Sequence, residues 1–268
     1  MTPIEARKSI VRGMGTCHVS YPDTEAKADC VFGDPQGDKT IALIGDSVAQ
    51  QWFPAFQRAA RANHWRLLAW TKNACPVVDV QTFQPRLKRA YSECVDWRQN
   101  VFDRIEAFDG GVDLVVIGRA TYAGPNLLAR DGSPNHRPLA QVWREASART
   151  FTRLLRSVDR VVAFEDTPVA PVDIPSCLSE SPEAPDRCAF PRKGSANRDG
   201  VIARAERAAA PRGVSVIDLT RHVCPADPCR VLAEDGTIIY RDRHHMTARF
   251  SASLAAVIAA IARAALAA

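Results

Sequence analysis

Short apolar runs alternate with longer segments whose apolar residues recur at helical spacing over most of the chain. The apolar runs predict strands at 41–44, 65–70, 113–118, 160–164 and 214–219. The periodic segments predict helices at 48–61, 96–108, 139–157, 199–209 and 251–267. Because strands buried on both faces carry uninterrupted apolar residues, this alternation indicates one mainly parallel sheet with helices on both sides.

The fold class that follows is α/β, a three-layer α/β/α sandwich of the flavodoxin-like type. Residues 39–268 form one domain in this interpretation, since no internal repeat or low-complexity block interrupts them. Residues 1–38 are polar and irregular, and we expect an N-terminal extension that packs on the domain. Residues 166–197 form a long irregular insert rich in proline, serine and cysteine. Inserts of this length are usually functional or stapled.

The segment around Ser47 changes from a strand pattern to a helix pattern within three residues, Gly45-Asp-Ser47. This turn places Ser47 at the carboxyl edge of the sheet, where open α/β sheets bind ligands. Ser47 also begins a helix, whose free N–H groups favour developing negative charge. Ser47 is therefore a candidate nucleophile, the ordinary alternative being a helix cap. We expect Asp46 to form hydrogen bonds within its own turn.

A serine in this position needs a base, and the segment 240–247 offers one. Asp242 precedes His245 by three residues, so a carboxylate and an imidazole can project to the same side. The carboxylate then fixes the ring tautomer and stabilises the imidazolium. This spacing favours His245 over its neighbour His244, which we expect to be exposed or to contact substrate.

These two segments resemble blocks I and V of the SGNH (GDSL-like) hydrolase superfamily, as Ile44-Gly-Asp-Ser47 and Asp242-x-x-His245. Two further motifs, Lys72-Asn-Ala-Cys-Pro76 and Tyr91-Ser-Glu-Cys-Val-Asp-Trp97, narrow the resemblance. They are similar to those of periplasmic SGNH domains fused to the acyltransferase-3 membrane domain of bacterial surface-polysaccharide O-acyltransferases. The resemblance covers the chain from about Thr40 to its end.

The resemblance also implies an oxyanion hole, which this sequence does not supply in the usual form. The Ser47 backbone N–H is the expected first donor. SGNH enzymes usually add a glycine N–H and an asparagine side chain, yet no Gly-x-Asn-Asp block is present. The Thr71 N–H is a candidate to replace the glycine N–H. Arg119 occupies the region where the asparagine is expected, although Arg119 is equally a candidate for an ordinary ion pair. Tyr122 is a candidate sugar contact.

Eight cysteines fall as four pairs of close neighbours in the sequence. We expect disulfides between these neighbours and hence an oxidising compartment such as the periplasm. Buried free thiols in a cytosolic protein are the alternative. A zinc site is disfavoured because Cys224-x4-Cys229 lacks a second ligand pair. The expected pairs are Cys17–Cys30, Cys75–Cys94, Cys177–Cys188 and Cys224–Cys229.

Composition excludes few classes of protein. The 268 residues carry a net charge of +5 from scattered arginines, so nucleic-acid binding is not expected. Neither a cofactor nor a metal is expected. Residues 1–8 lack the apolar core of a signal peptide. We therefore expect export to depend on membrane helices upstream in a longer protein, which would tether the domain to the inner membrane.

Together these features predict acyl transfer, with acetyl as the expected group, through a covalent ester of Ser47. The resemblance implies a cell-surface or secreted polysaccharide as acceptor and an acyltransferase-3 membrane domain as the source of the acyl group. Two alternatives stay open. An esterase would use the same site with water as the acceptor, and a glycan-binding domain would retain the three residues without catalysis.

Overall fold

A computed structural model of the chain describes residues 1–122, 124–192 and 200–268. The strands are β1 (His18–Val19), β2 (Val31–Gly33), β3 (Lys39–Gly45), β4 (Trp65–Lys72), β5 (Gln81–Gln84), β6 (Arg89–Ala90), β7 (Leu114–Gly118), β8 (Leu127–Leu128), β9 (Arg160–Phe164) and β10 (Val214–Ile217). The α-helices are α1 (Pro3–Lys8), α2 (Ser47–Ala62), α3 (Ser92–Glu106), α4 (Leu139–Leu154), α5 (Ile174–Glu180), α6 (Val201–Ala209), α7 (Thr220–Val223), α8 (Ala248–Ser253) and α9 (Ala255–Ala267).

The central sheet has the strand order β1-β4-β3-β7-β9-β10, and all of these pairings are parallel. β2 pairs antiparallel with β4. The order β4-β3-β7-β9-β10 is that of a flavodoxin-like sheet. α2 packs against α9, and α4 packs against α6 and is ion-paired with α3, as expected when right-handed crossovers place these two groups of helices on opposite faces. The predicted three-layer fold is confirmed.

The five predicted strands match β3, β4, β7, β9 and β10, with differences at their ends. β4 continues to Lys72, so Thr71 lies inside a strand and the prediction that it begins a loop is wrong. The predicted C-terminal helix is divided at Leu254 into α8 and α9. Residues 81–90 carry β5 and β6, which join β8 in a small second sheet that the apolar pattern does not indicate.

Residues 1–38 are more ordered than their polar composition suggests. They contribute β1 and β2 to the central sheet, beside β4. α1 lies against α5, where the Arg7 guanidinium forms an ion pair with Asp173. Residues 193–197 of the predicted insert, and Asp199 at the predicted start of a helix, lie outside the described residues.

Four disulfides connect the cysteines as expected, each to its neighbour in the sequence. Cys17–Cys30 closes the N-terminal segment, and Cys177–Cys188 staples the insert. Within the described ranges, no helix has the length and apolar character needed to cross a membrane.

Candidate active site

The turn before Ser47 depends on a close approach of two strands and a helix. β3 ends at Gly45, and a Cβ atom there would collide with the carbonyl oxygen of Gly118 at the end of β7. A Cβ atom at Gly118 would lie 2.6 Å from the Cα atom of Ala49 in α2. The first turn of α2 therefore rests directly on the sheet, and Ser47, its first residue, lies at the carboxyl edge of β3.

Ser47, His245 and Asp242 form a continuous chain of hydrogen bonds. The Nε2 atom of His245 lies 2.8 Å from Ser47 Oγ, and its Nδ1 atom lies 2.8 Å from Asp242 Oδ2. The other Asp242 oxygen accepts the backbone N–H groups of His244 and His245, both at 2.7 Å. A carboxylate at Nδ1 holds the proton there, so the Nε2 lone pair faces the serine hydroxyl.

Asp242 is ionised in this arrangement. Burial disfavours its charge, but the hydrogen bond and the charge of His245 and the two backbone N–H groups outweigh burial. They hold the pKa of Asp242 far below its usual value. The carboxylate can therefore stabilise an imidazolium at His245 over the whole physiological pH range.

Asp46 connects the Ser47 turn to the loop after β7. It caps α2 by accepting the Val48 N–H at 2.8 Å, as expected from the sequence. Its second oxygen accepts the Ala120 N–H at 2.8 Å and the Tyr122 hydroxyl at 2.6 Å, two contacts that reach beyond its own turn. The side chain is fully buried, and burial raises the pKa of Asp46.

Arg119 faces the protein interior. Its Nε and Nη2 atoms donate to the two oxygens of Glu206, each at 2.6 Å, and neither side chain is appreciably exposed. The Trp143 indole N–H donates to the same carboxylate at 3.0 Å. The Nη1 atom of Arg119 is buried without a hydrogen-bond partner among the described residues. Of the two roles that the sequence left open for Arg119, the structure shows the ion pair, and its partner Glu206 gave no signal in the sequence.

Tyr122 also makes its contacts with other side chains of the protein. Its hydroxyl donates to Asp46, and its ring stacks on Trp143 with a centroid distance of 5.9 Å. Burial and the neighbouring Asp46 raise the pKa of Tyr122 well above its usual value, so the hydroxyl stays protonated. A sugar bound at this loop would meet at most the part of the ring that remains exposed.

The β4 side of the site brings in a residue from the N-terminal extension. His18 of β1 lies 2.8 Å from Thr71 Oγ1 through Nδ1 and 2.9 Å from Asn73 Oδ1 through Nε2. Burial lowers the pKa of His18, and the charges of Arg241 and His245 act in the same direction. Nothing in residues 1–38 marks His18 in the sequence, and Asn73 stands out there only as part of a motif.

A second histidine–aspartate pair lies beside the first. His244 Nε2 donates to Asp166 Oδ1 at 2.8 Å, and the other Asp166 oxygen accepts the Thr121 N–H at 2.7 Å. Burial opposes a charge on His244, but the Asp166 carboxylate outweighs burial and raises the pKa of His244. The rings of His244 and His245 are 5.2 Å apart. His244 is therefore ion-paired and three-quarters buried, so the expectation of an exposed side chain is wrong.

Within the described residues, no group of three or more histidine, cysteine or acidic side chains is arranged to hold a metal ion. What this edge of the sheet does hold is a serine hydroxyl, an imidazole with its lone pair directed at that hydroxyl, and a carboxylate behind the imidazole. This arrangement is suited to nucleophilic attack on a carbonyl group.

Comparison with known proteins identifies the family. The profile described as SGNH domain (fused to AT3 domains) matches residues 16–260, so the chain belongs to that family and the resemblance seen in the motifs is confirmed. A search of curated protein sequences gives no significant match.

Three solved structures are similar to this chain, and the first of them shares its fold. The lipopolysaccharide acetyltransferase periplasmic domain of Salmonella ser. Paratyphi A is 17% identical, with a TM-score of 0.63 over 97% of this chain and 94% of that chain. A carbohydrate esterase family 2 enzyme of Corynascus thermopiles (Myceliophthora fergusii) is 14% identical, with a TM-score of 0.48 over 87% of this chain and 68% of that chain. An acetyl xylan esterase from Geobacillus stearothermophilus is 12% identical, with a TM-score of 0.44 over 84% of this chain and 93% of that chain.

Proposed function

We propose that this SGNH domain is an O-acyltransferase that transfers an acetyl group to a hydroxyl of a bacterial cell-surface or secreted polysaccharide. The observation that carries the proposal is the hydrogen-bonded chain from Ser47 through His245 to Asp242 at the carboxyl edge of the sheet. Ser47 is the nucleophile, His245 the general base and Asp242 the group that orients His245 and stabilises its charge.

The first half of the reaction forms an acyl-serine. Ser47 Oγ attacks the carbonyl carbon of the donor, its proton passes to His245 Nε2, and the carbonyl π electrons move onto the oxygen. The oxyanion then collapses, the bond to the leaving oxygen breaks, and His245 returns the proton to that oxygen. The ionised Asp242 stabilises the imidazolium in between.

The second half runs the same steps with a sugar hydroxyl. His245 takes the proton of that hydroxyl, whose oxygen attacks the acyl-serine carbonyl, and the proton returns to Ser47 Oγ as the ester bond to serine breaks. Water in place of the sugar gives hydrolysis. Transferase and esterase thus differ only in which hydroxyl occupies the position beside His245.

The family and the disulfides support a location and a donor. The family consists of SGNH domains fused to AT3 domains, so we propose that such a membrane domain on the same full-length chain delivers the acyl group. Four disulfides suit an oxidising compartment. We therefore place the domain in the periplasm, tethered to the inner membrane.

Intact mass spectrometry after brief exposure to p-nitrophenyl acetate tests the nucleophile. Wild type should gain the mass of one acetyl group, and Ser47→Ala should gain none. Ser92→Ala is the matched control because Ser92 is also the first residue of a helix but is exposed on α3. Equal acetylation of wild type and Ser47→Ala, or none on either, would contradict the proposal. Adding an oligosaccharide should divert acetyl groups from water to sugar, whereas an esterase would release acetate unchanged.

A further inference from the structure

The loop after β4 carries an amide level with the proposed nucleophile. β3 and β4 are paired so that Gly45 lies beside Thr71. Ser47 and Asn73 each follow two residues later, so both leave the same edge of the sheet on adjacent strands, which are about 5 Å apart. His18, which contacts Asn73, is also close enough to His245 for their charges to interact. Asn73 therefore belongs to the rim of the site.

Asn73 is held in place by three contacts. Its backbone N–H donates to Val19 O at 3.1 Å, and its carbonyl accepts the Tyr91 hydroxyl at 2.9 Å. Its side-chain oxygen lies 2.9 Å from His18 Nε2. The Nδ2 group donates no hydrogen bond to any of the described residues, so it is the one polar group of Asn73 left for a ligand.

His18 sets the direction of this amide. Burial lowers the pKa of His18, so the ring is neutral at physiological pH and carries one N–H. Because Asn73 Oδ1 can only accept, the tautomer that fits both contacts carries its proton on Nε2, and Nδ1 then accepts the Thr71 hydroxyl. With its oxygen held by His18, the amide presents its NH₂ end, which is the end that can stabilise negative charge.

We propose that Asn73 Nδ2 is an oxyanion-hole donor, acting with the Ser47 backbone N–H, and that His18 is the positioning residue that orients it. The inference rests on the proposed acyl transfer. As Ser47 attacks, the carbonyl π electrons move onto the oxygen, which accepts both N–H groups without taking a proton. The electrons return when the leaving bond breaks. An asparagine from the β4 loop thereby replaces the Gly-x-Asn-Asp block that the sequence lacks.

The N-terminal extension is fixed where it supplies His18. β1 is paired with β4, and the adjacent Cys17 is bonded to Cys30. The Lys72 ammonium donates to the carbonyl oxygens of Ser20 and Tyr21 at 2.7 and 2.9 Å, and to that of Asp23. Burial lowers the pKa of Lys72 to about 8, which still leaves it mostly charged at neutral pH. The extension thus belongs to the site as well as to the sheet.

Steady-state hydrolysis of p-nitrophenyl acetate by the whole chain tests Asn73. Asn73→Ala and the near-isosteric Asn73→Asp should each lower kcat by about 100-fold to 1,000-fold, the usual loss for one oxyanion donor, with little change in KM. Asn100→Ala is the matched control, because Asn100 also holds the N-terminal extension, donating to Thr24 O at 2.8 Å from α3. Its kcat should stay within about threefold of wild type.

Substitutions of His18 separate orientation from packing. His18→Gln keeps an amide N–H near the position of Nε2 and should retain most of kcat, whereas His18→Asn is too short to reach Asn73 and His18→Ala removes the donor. The latter two should lower kcat by about 10-fold or more while KM changes little. A drop in thermal stability without this kcat pattern would contradict the positioning role.

Each outcome distinguishes the two proposals. Suppose that wild type is acetylated at Ser47 and that both Asn73 variants are folded by circular dichroism. If Asn73→Ala and Asn73→Asp then keep kcat within about fivefold of wild type, the oxyanion assignment is wrong and the acyl-transfer proposal stands. If wild type forms no acetyl-serine, both proposals fail together. Rapid acetylation of Ser47 in wild type with slow acetylation in both Asn73 variants supports both.

Discussion

The two loops that flank the Ser47 turn use their polar groups in opposite ways. On the β7 side, Arg119 is paired with Glu206, and the Ala120 N–H and the Tyr122 hydroxyl are both donated to Asp46. On the β4 side, Thr71 contacts His18, and His18 holds the oxygen of Asn73 and leaves its NH₂ group without a protein acceptor among the described residues. Among the described residues, the β7 side uses its donors within the fold, apart from the buried Arg119 Nη1 and Thr121 Oγ1 atoms.

This difference predicts that substitutions on the two sides affect stability and turnover differently. Since the β7 side is buried and internally paired, substitutions there should lower the free energy of unfolding and leave turnover of the folded protein nearly unchanged. Substitutions on the β4 side should lower turnover by more than their effect on stability explains. Charge and burial alone would not separate the two sides, since both contain a buried basic side chain, Arg119 or Lys72.

The largest expected effect on stability is at Arg119. Arg119→Met leaves the Glu206 carboxylate buried without its partner, and breaking such a pair costs about 3–5 kcal/mol of unfolding free energy. Urea denaturation measures the loss. Arg153→Met is the control, since its contacts with Asp103 and Glu106 are partly exposed and should contribute only about 1 kcal/mol.

The same variant also tests the role of Arg119 in turnover. The folded fraction of Arg119→Met should hydrolyse p-nitrophenyl acetate with kcat within about threefold of wild type. A fall of about 100-fold in kcat with little loss of stability would instead give Arg119 the oxyanion role and would remove the contrast between the two sides.

The disulfide of the N-terminal extension should have the next largest effect. Cys17 and Cys30 are 13 residues apart, and opening a loop of this length by replacing both with serine costs about 3 kcal/mol. Turnover should fall as well, because His18 follows Cys17 directly. The control is the pair Cys224–Cys229, separated by five residues, whose removal should cost about 2 kcal/mol without lowering kcat. Equal kcat values for the two double variants would count against a role of the extension in the site.

The sequence predicts the fold well because its signal is local. Uninterrupted apolar runs identify β3, β4, β7, β9 and β10, and periodicity indicates α2, α3, α4 and α6 between them, whereas α5 lies in the insert that was expected to be irregular. The turn at Gly45 and the Asp242–His245 spacing are also local. The roles of Arg119 and His18 are set by partners far away along the chain: Glu206 lies 87 residues from Arg119, and Asn73 lies 55 residues from His18. No pattern within one segment carries that information.

The end of β4 explains the error made at Thr71. The apolar run ends at Trp70, but β4 continues through Thr71 and Lys72 because β1 pairs with both. The extra strand that holds them comes from a segment whose polar composition indicates no strand. A loop prediction for Thr71 therefore failed for the same reason that His18 was missed.

Tyr122→Phe should have a moderate effect on stability alone. Removing the hydroxyl takes one hydrogen bond from the buried Asp46, which keeps the N–H groups of Val48 and Ala120. A hydrogen bond to a charged group contributes about 1.5–3 kcal/mol, so the unfolding free energy should fall by about 2 kcal/mol. Urea denaturation checks this value, and kcat for p-nitrophenyl acetate should change by less than about threefold. A larger change in kcat would indicate that Tyr122 contacts the substrate.

The smallest effect is a difference in pH dependence between His18 and His244. Burial lowers the pKa of His18, near Arg241, Lys72 and His245, so its contribution to the free energy of unfolding should fall as the pH drops below the unfolded value of about 6.5. The pKa of His244, near Asp166, Asp46 and Asp242, is raised despite burial. Its contribution should be complete below about pH 6.5 and be lost as the pH rises through the folded value.

The free energy of unfolding, measured between about pH 5 and 8, tests the direction of both pH dependences. His18→Gln should remove the loss of stability on the acid side, and His244→Gln should remove the loss on the basic side, while the exposed His136→Gln serves as the control. If the free energy of unfolding depends on pH in the same way in both variants, the two rings have similar surroundings. A neutral His18 ring with its proton on Nδ1, seen in its ring resonances, would be more damaging. Its Nε2 atom would then carry a lone pair, could no longer donate to Asn73 Oδ1, and would remove the reason why Asn73 presents its NH₂ group to the site.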